Sequence, residues 1–215
     1  MHQTIFTTTH VVEDEFYRIH WLRYLLGEIR VHVSHRRIRS RNKSFRYIIE
    51  SFSGIRKDHE ELYSRYRELI DFNGAFNIQH CLFGEQGVDK GVYKTYCISV
   101  FDQDTLIAGG YFDVGGTSGT SILHFYDPMY KDCSPGKYLI LLTADFLRST
   151  GYVFYYPGYL VAGIAKMDYK LFMGKEATQY FDAGSGTWKY FDAEILVREV
   201  LTVPEQLELL LAFGE

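Results

Sequence analysis

Four short clusters carry side chains of the types and spacing that chemistry needs. In the run AKMDYK, Lys166 and Lys170 are four residues apart. On a helix they stand one turn apart and can face one anion, either a terminal phosphate or an acidic side chain. They read equally as surface lysines whose stems lie along apolar surface. Met167 and Tyr169 sit in the same run. Tyr169 is a candidate hydrogen-bond donor or proton relay, or else a core tyrosine with a satisfied hydroxyl. Upstream, Tyr126 and Asp127 precede Pro128, at the end of a strand or as part of a turn. Ser134-Pro135-Gly136 precedes a helical pattern, whose free backbone N–H groups and dipole suit an anion; the bland alternative is an ordinary turn. Tyr155, Tyr156 and Tyr159 could stack on a nucleobase, although an aromatic strand is more often core.

Local pattern supplies the elements that must position these groups. Ser121–Tyr126 reads as a strand closed by Asp-Pro. Tyr138, Leu141, Leu142, Asp145 and Phe146 recur at helical spacing, with Gly151 as the stop. Tyr152–Tyr156 is a second strand, broken at Pro157-Gly158, and Ile164–Phe172 a further helix. Strand, helix and strand make a βαβ unit with a right-handed crossover. Ahead of it, Val92–Phe101 and Leu106–Val114 form a hairpin about Asp102-Gln103-Asp104, and Gly115-Gly116 and Gly119 lead on. Asp58–Phe72 is a helix with Asp58 as N-cap, Glu61 completing a capping box, a Glu61/Arg65 pair, a stripe of Leu62, Tyr66, Leu69 and Ile70, and a stop at Asn73-Gly74. The first thirty-two residues hold two β-like runs, Thr4–Val12 and Glu28–Val33. After the loop at Gly184–Gly186, Trp188–Val197 is a strand. Thr202–Glu205 caps an apolar C-terminal helix.

Composition bounds the rest. The chain has 215 residues, 47% of them hydrophobic and 17% aromatic, enough for a sizeable core. A net charge of −4 gives no global attraction to nucleic acid. The exception is local: His35–Arg46 holds Arg36, Arg37, Arg39, Arg41, Lys43 and Arg46 with no acid among them. Arginine forks bind phosphate bidentately, so this stretch reads as an RNA contact, or as a solvated helix start balanced by Glu60, Glu61 and Glu68. No run approaches the roughly eighteen apolar residues of a membrane helix, and no signal peptide is expected. Cys81, Cys97 and Cys133 lie far apart, which suggests reduced thiols in the cytoplasm. Neither a nucleophile elbow nor H-E-x-x-H is present.

FYDP, S-P-G-x-Y, YYPGY and KMDYK, in this order and spacing, resemble the C-terminal half of the aminoacyl-tRNA–protein transferases, the arginyl-transferases and their leucyl-transferring bacterial relatives. The resemblance implies an α+β, GNAT-like acyltransferase fold, with a central mixed sheet flanked by helices. It implies a strand-rich segment with the basic stretch over residues 1–50 and a catalytic domain over 51–215. The implied activity moves an aminoacyl group from tRNA to the N-terminal α-amine of an acceptor protein. The implied catalytic residues are Tyr126, Asp127 and Tyr169. Ser134, Gly136, Tyr156, Lys166, Met167 and Lys170 would bind substrate, and Arg36, Arg37, Arg39, Arg41 and Lys43 would bind tRNA. No cofactor and no metal are expected, and the oligomeric state stays open. Two departures stand out. The family carries a cysteine cluster for a metal centre in its N-terminal region, and here no cysteine precedes Cys81. The family has leucine where Pro135 stands, and proline offers no N–H to an anion.

The implied reaction starts from an activated ester. An α-amine of pKa about 7.7–8.0 is roughly a tenth neutral at pH 7, so deprotonating it in advance gains only about tenfold. Placement of amine against ester gains far more. The expected site therefore positions and stabilises rather than supplying a nucleophile. The runner-up readings are an N-acyltransferase using acyl-CoA, which should show Arg/Gln-x-x-Gly-x-Gly where only Gly136 stands, and a non-catalytic binding protein that keeps the fold.

Overall fold

The structure is a computed structural model that describes residues 9–12, 15–70, 75–84, 93–161 and 164–192. The expected stop at Asn73-Gly74, most of the Trp188–Val197 strand and the C-terminal helix lie outside the described residues.

The chain runs β1 (Thr9–Val12), β2 (Glu15–Leu25), α1 (Val33–Arg41), β3 (Arg46–Ser51), α2 (Lys57–Arg67), α3 (Ile78–Phe83), β4 (Lys94–Asp102), β5 (Thr105–Gly115), β6 (Ser118–Tyr126), a 3-10 segment (Pro128–Cys133), α4 (Pro135–Ser149), β7 (Phe154–Val161), 3-10 segments (Ala165–Met173 and Lys175–Ala177), β8 (Thr178–Asp182) and β9 (Thr187–Tyr190). The strands form one sheet in the order β3-β4-β5-β6-β7-β2-β8-β9, with β1 paired to β2. Every pairing is antiparallel except β6 with β7. This is the mixed sheet flanked by helices of the expected α+β, GNAT-like fold. Strands from the first fifty residues belong to it: β3 is an edge, and β2 lies between β7 and β8.

One sheet face is covered by α1 and α4. There Ile38, Leu139, Leu142 and Leu147 pack on Ile98, Ile107, Phe112 and Tyr155. The other face is covered by α2 and α3, through Leu62, Tyr63 and Ile78 against Cys97, Tyr111 and Phe125. Full burial of such side chains contributes about 1.5–3 kcal/mol each. Close approach of α4 depends on Gly119, where a Cβ would sit 2.5 Å from Cδ2 of Leu147.

Several expectations are corrected. The Thr4–Val12 run is a strand over its described part, β1, whereas Glu28–Val33 is a turn that leads into α1, and the long early strand is β2, whose Leu22 and Tyr24 are fully buried. Pro157-Gly158 does not break β7. The pairing slips between Leu22↔Gly158 and Tyr24↔Tyr155, a bulge that accommodates the missing proline donor, and Gly158 takes φ +102°. Residues 165–173 form 3-10 turns rather than an α-helix. Carbonyls from this segment are taken by other elements: that of Lys170 accepts from the Tyr24 hydroxyl, and that of Phe172 lies 2.8 Å from Nε2 of His35. The N-cap of α2 is Arg56, not Asp58. Asp58 instead takes two hydrogen bonds from the Arg56 guanidinium, which holds its carboxyl below the usual range. The inward stripe of α2 is His59, Leu62 and Tyr63, and Leu69 is 67% exposed. Lys57, not Arg65, is the cation paired with the Glu61 carboxylate.

Candidate active site

The site follows from the one parallel pair among the described strands. β6 and β7 are in register only over Ser118–Thr120 with Phe154–Tyr156. Beyond that, β6 continues to Tyr126 alongside β5, while β7 bulges at Pro157-Gly158 and continues alongside β2. Two parallel strands that stop pairing leave a crevice at their C-terminal ends, where open α/β sheets bind ligands.

Lys170 reaches into this crevice. Its Nζ donates to the carbonyl of Tyr159 at 2.5 Å and lies 5.1 Å from the centroid of the Tyr159 ring. Gly158 gives it room, since a Cβ there would lie 3.4 Å from Nζ. Burial disfavours the charged ammonium and lowers its pKa to about 8. His124 on β6 is close enough for the Lys170 charge to act on it. Burial first, and Lys170 second, lower its pKa to about 4, so the imidazole is neutral at pH 7. His124 packs on Gly110, where a Cβ would lie 2.6 Å from the ring Cδ2, and its buried Nε2 has no hydrogen-bond partner among the described residues.

Around this pair stands a group of tyrosines. The Tyr169 ring lies 5.9 Å from the Lys170 ammonium. The Tyr169 hydroxyl acts electrostatically on those of Tyr24, Tyr66 and Tyr155, and Tyr126 acts on it in turn. Burial raises the pKa of Tyr24, Tyr66 and Tyr155, and partial burial that of Tyr169, which is 40% exposed, so these remain neutral donors. The Tyr155 hydroxyl bonds Ser121, and the Tyr66 and Tyr126 rings lie 5.2 Å apart. The tyrosines come from β2, α2, β6, β7 and the segment after β7, so only the folded chain assembles them.

The sequence-predicted residues fall into three groups. The structure brings together Tyr126, Tyr169 and Lys170, and through Tyr126 it reaches Gly136, whose Cβ would lie 3.7 Å from that ring. Ser134 begins α4 at φ 55°, ψ 55°. Its own N–H is spent on the Lys131 carbonyl and Pro135 has none, which leaves those of Gly136 and Lys137 at the helix end. An open depression lined by Arg41, Lys131, Asp132, Cys133 and Ser134 lies there. Asp127 caps the 3-10 segment, accepting from the Met129 N–H at 3.0 Å, with Arg65 4.0 Å away.

Other residues lie elsewhere. Tyr156 alternates with Tyr155 along β7 and faces away, with its ring 5.5 Å from that of Trp188. Met167 packs with Ile19 and Val161. The Lys166 side chain lies outside the described residues. On α1, Arg36, Arg37 and Arg41 are exposed, as is Lys43 in the turn after it, while Arg39 pairs with Asp145 of α4 at 2.7 Å. Arg41 donates to the carbonyl of Asp132 at 2.9 Å, which ties the basic helix to the N-terminal end of α4. Sequence reasoning passed over His124, Tyr66 and Tyr24. A signal existed only for His124, a polar ring two residues before Tyr126 in an apolar strand.

No group of three or more His, Cys, Asp or Glu among the described residues could hold a metal ion. Cys97 is buried beside Ser99 and His59, Cys81 lies by the Tyr63 hydroxyl, and Cys133 borders α4. The residues present do not fit the metal centre that the sequence resemblance implies for its family.

Residues 58–178 match the family described as arginine-tRNA-protein transferase, C terminus. The chain belongs to this family. The match covers more than half of the sequence and includes β6, α4, β7, Tyr169 and Lys170. An aspartate/glutamate leucyltransferase from Maricaulis maris is 30% identical over 138 residues, 63% of this chain and 53% of the relative. Another of the same name from Paracoccus denitrificans is 42% identical over 69 residues, 32% of this chain and 25% of the relative. A third, from Campylobacter jejuni, is 24% identical over 156 residues, 69% of this chain and 63% of the relative. The chain thus spans about half the length of the curated relatives it matches. Among solved structures, FemX superposes with a TM-score of 0.55 at 9% identity, covering 96% of this chain and 67% of FemX. That likeness concerns the fold, and it extends over the N-terminal strands that the family match omits.

Proposed function

We propose that this family member moves an aminoacyl group from tRNA to the α-amine of an acceptor protein whose first residue is acidic. The donor ester would lie in the β6/β7 crevice, with the Tyr126 and Tyr169 hydroxyls placed to donate to charge that develops on its carbonyl oxygen. The exposed Arg36 and Arg37 of α1, with Arg41 of the same helix at the N-terminal end of α4, would hold tRNA phosphates. Such a donor places the reaction in the cytoplasm.

The observation that carries this reading is the buried Lys170 ammonium among neutral tyrosines. Lys170 is partly buried, and desolvation is the cause that lowers its pKa; among the described residues no carboxylate offsets that burial. A buried cation without a counter-charge is costly, and an entering carboxylate would offset that cost. The relatives' name, aspartate/glutamate leucyltransferase, agrees with an acidic acceptor and points to leucine as the group moved.

The test is a transfer assay with each aminoacyl-tRNA and peptides that begin with Asp, Glu, Ala or Lys. Leucyl transfer to Asp and Glu peptides, weakened for them in Lys170→Met, is the expected result. Transfer from acyl-CoA instead, or no transfer from any aminoacyl-tRNA, overturns the reading. An acceptor preference that Lys170→Met leaves unchanged removes Lys170 from acceptor recognition.

A further inference from the structure

We propose that His124 is a further catalytic residue, whose Nε2 takes the proton that the acceptor amine loses and returns it to the leaving ribose oxygen. This rests on the transfer reading above. It comes from an imidazole that the motifs do not include and that the fold leaves in an unusual position.

The first observation is the buried, unpartnered Nε2 at the crevice. A buried polar atom without a partner costs about 1–3 kcal/mol, and native structures leave few. The second is the support. His124 pairs with Gly110 on β5, and the Gly110 position tolerates no Cβ: it would meet Cδ2 of His124 at 2.6 Å and the carbonyl oxygen of Leu123, a backbone atom, at 2.8 Å. The ring is thus seated on bare backbone, with little freedom to move. The third is its neighbour. Lys170, from the segment after β7, is the charge that acts on His124, and Tyr169 and Tyr159 stand about its ammonium. Burial first, and the cation next door second, keep the imidazole neutral, and in the tautomer with Nε2 unprotonated it offers a lone pair.

The stereochemistry of an acidic acceptor then places the amine. In an N-terminal aspartate the α-amine and the side-chain carboxylate depart from the same Cα. A carboxylate held at Lys170 puts the amine beside it, and His124 lies within reach of the Lys170 charge.

The amine nitrogen forms the new C–N bond as the ester carbonyl electron pair moves to oxygen. The nitrogen, now positively charged, becomes acidic and gives one proton to Nε2. The oxyanion re-forms the carbonyl and the C–O bond to ribose breaks. The departing oxygen takes the proton from the imidazolium, which returns to its starting form. No other reactant is consumed. A weakly basic imidazole suits this order of events. It does little for the free amine, where only about tenfold is at stake, but once protonated it is a strong acid for a poor leaving group.

The test compares wild type with His124→Gln in single-turnover transfer from aminoacyl-tRNA to an N-terminal Asp peptide. The expected result is a rate about 10²–10⁴-fold lower, with the peptide KM little changed, a smaller solvent deuterium effect, and an unaltered melting curve. A second measurement needs no turnover and no variant: ¹⁵N spectra of the wild-type imidazoles with a non-reactive 3′-aminoacylamido-adenosine and the Asp peptide. The His124 nitrogens should shift when both are present. A folded His124→Gln that transfers at the wild-type rate overturns the proposal and leaves the transferase reading in place. Nitrogens unmoved by the two ligands mean that Nε2 serves a structural water only, which also overturns it, and they decide the matter if the variant fails to fold. A wild-type protein that transfers from no aminoacyl-tRNA removes both readings together.

Discussion

Replacing Lys170 with methionine should stabilise the protein at neutral pH while impairing it. Methionine keeps an unbranched chain of similar length, so the packing against Gly158 and Tyr159 is largely retained. The ammonium is removed, and with it the cost of holding a charge in the crevice. Burial lowers the pKa of Lys170 from 10.5 to about 8, a difference worth about 3 kcal/mol between the charged and neutral forms. In the unfolded chain the lysine is charged below pH 10.5. In the folded chain it resists protonation down to pH 8. The penalty is therefore fully present below pH 8 and fades as pH rises toward 10.5. The hydrogen bond to the Tyr159 carbonyl is lost in the variant, a loss of about 1 kcal/mol. The net gain at pH 7 is about 2 kcal/mol, roughly 4–8 °C in Tm for a chain of this size. Above about pH 10 the sign should reverse, because only the lost hydrogen bond remains. The assay is urea unfolding of both proteins at pH 6, 7, 9 and 10.5. A variant less stable than wild type by the same amount at every pH would refute the reasoning, since Lys170 would then be a solvated or well-paired cation.

Gly110→Ala should destabilise by about 1–3 kcal/mol, because the Leu123 carbonyl cannot yield to the new methyl group; the accompanying displacement of His124 should appear as a moved imidazole resonance. The buried His59, whose Nε2 lies 2.8 Å from the Ser99 hydroxyl, has its pKa lowered by burial to about 4. Stability should fall as pH drops from about 6.5 to 4, where the unfolded chain takes up the proton first, and His59→Gln should flatten that part of the curve. For tRNA, Arg36→Ala with Arg37→Ala should lower the slope of log affinity against log salt by roughly one to two units. Arg39→Ala should act mainly through its ion pair with Asp145. An unchanged slope in the double variant would exclude Arg36 and Arg37 from the contact.

The sequence by itself determined the local pieces and the family. The β4/β5 hairpin, the strand before Asp127, α4 after Ser134 and the return strand β7 are each written in short-range pattern: alternation, helical spacing, and turn residues between them. The motifs FYDP to KMDYK carried the resemblance because their order is a property of the chain. Tertiary structure decided whatever depends on partners distant in sequence. β2 takes its place only because β7 and β8 flank it. Residues 165–173 carry helical spacing, yet carbonyls there are drawn to Tyr24 and His35, which no local pattern encodes. Lys170 looks like a surface lysine until Gly158 opens room for it, and Tyr155 and Tyr156 look alike until alternation sends them to opposite faces. The sequence signal for His124 was only a polar ring in an apolar strand. Its neutrality comes from burial first and from the charge of Lys170 second, and burial and electrostatics of that kind exist only once strands far apart in sequence have met.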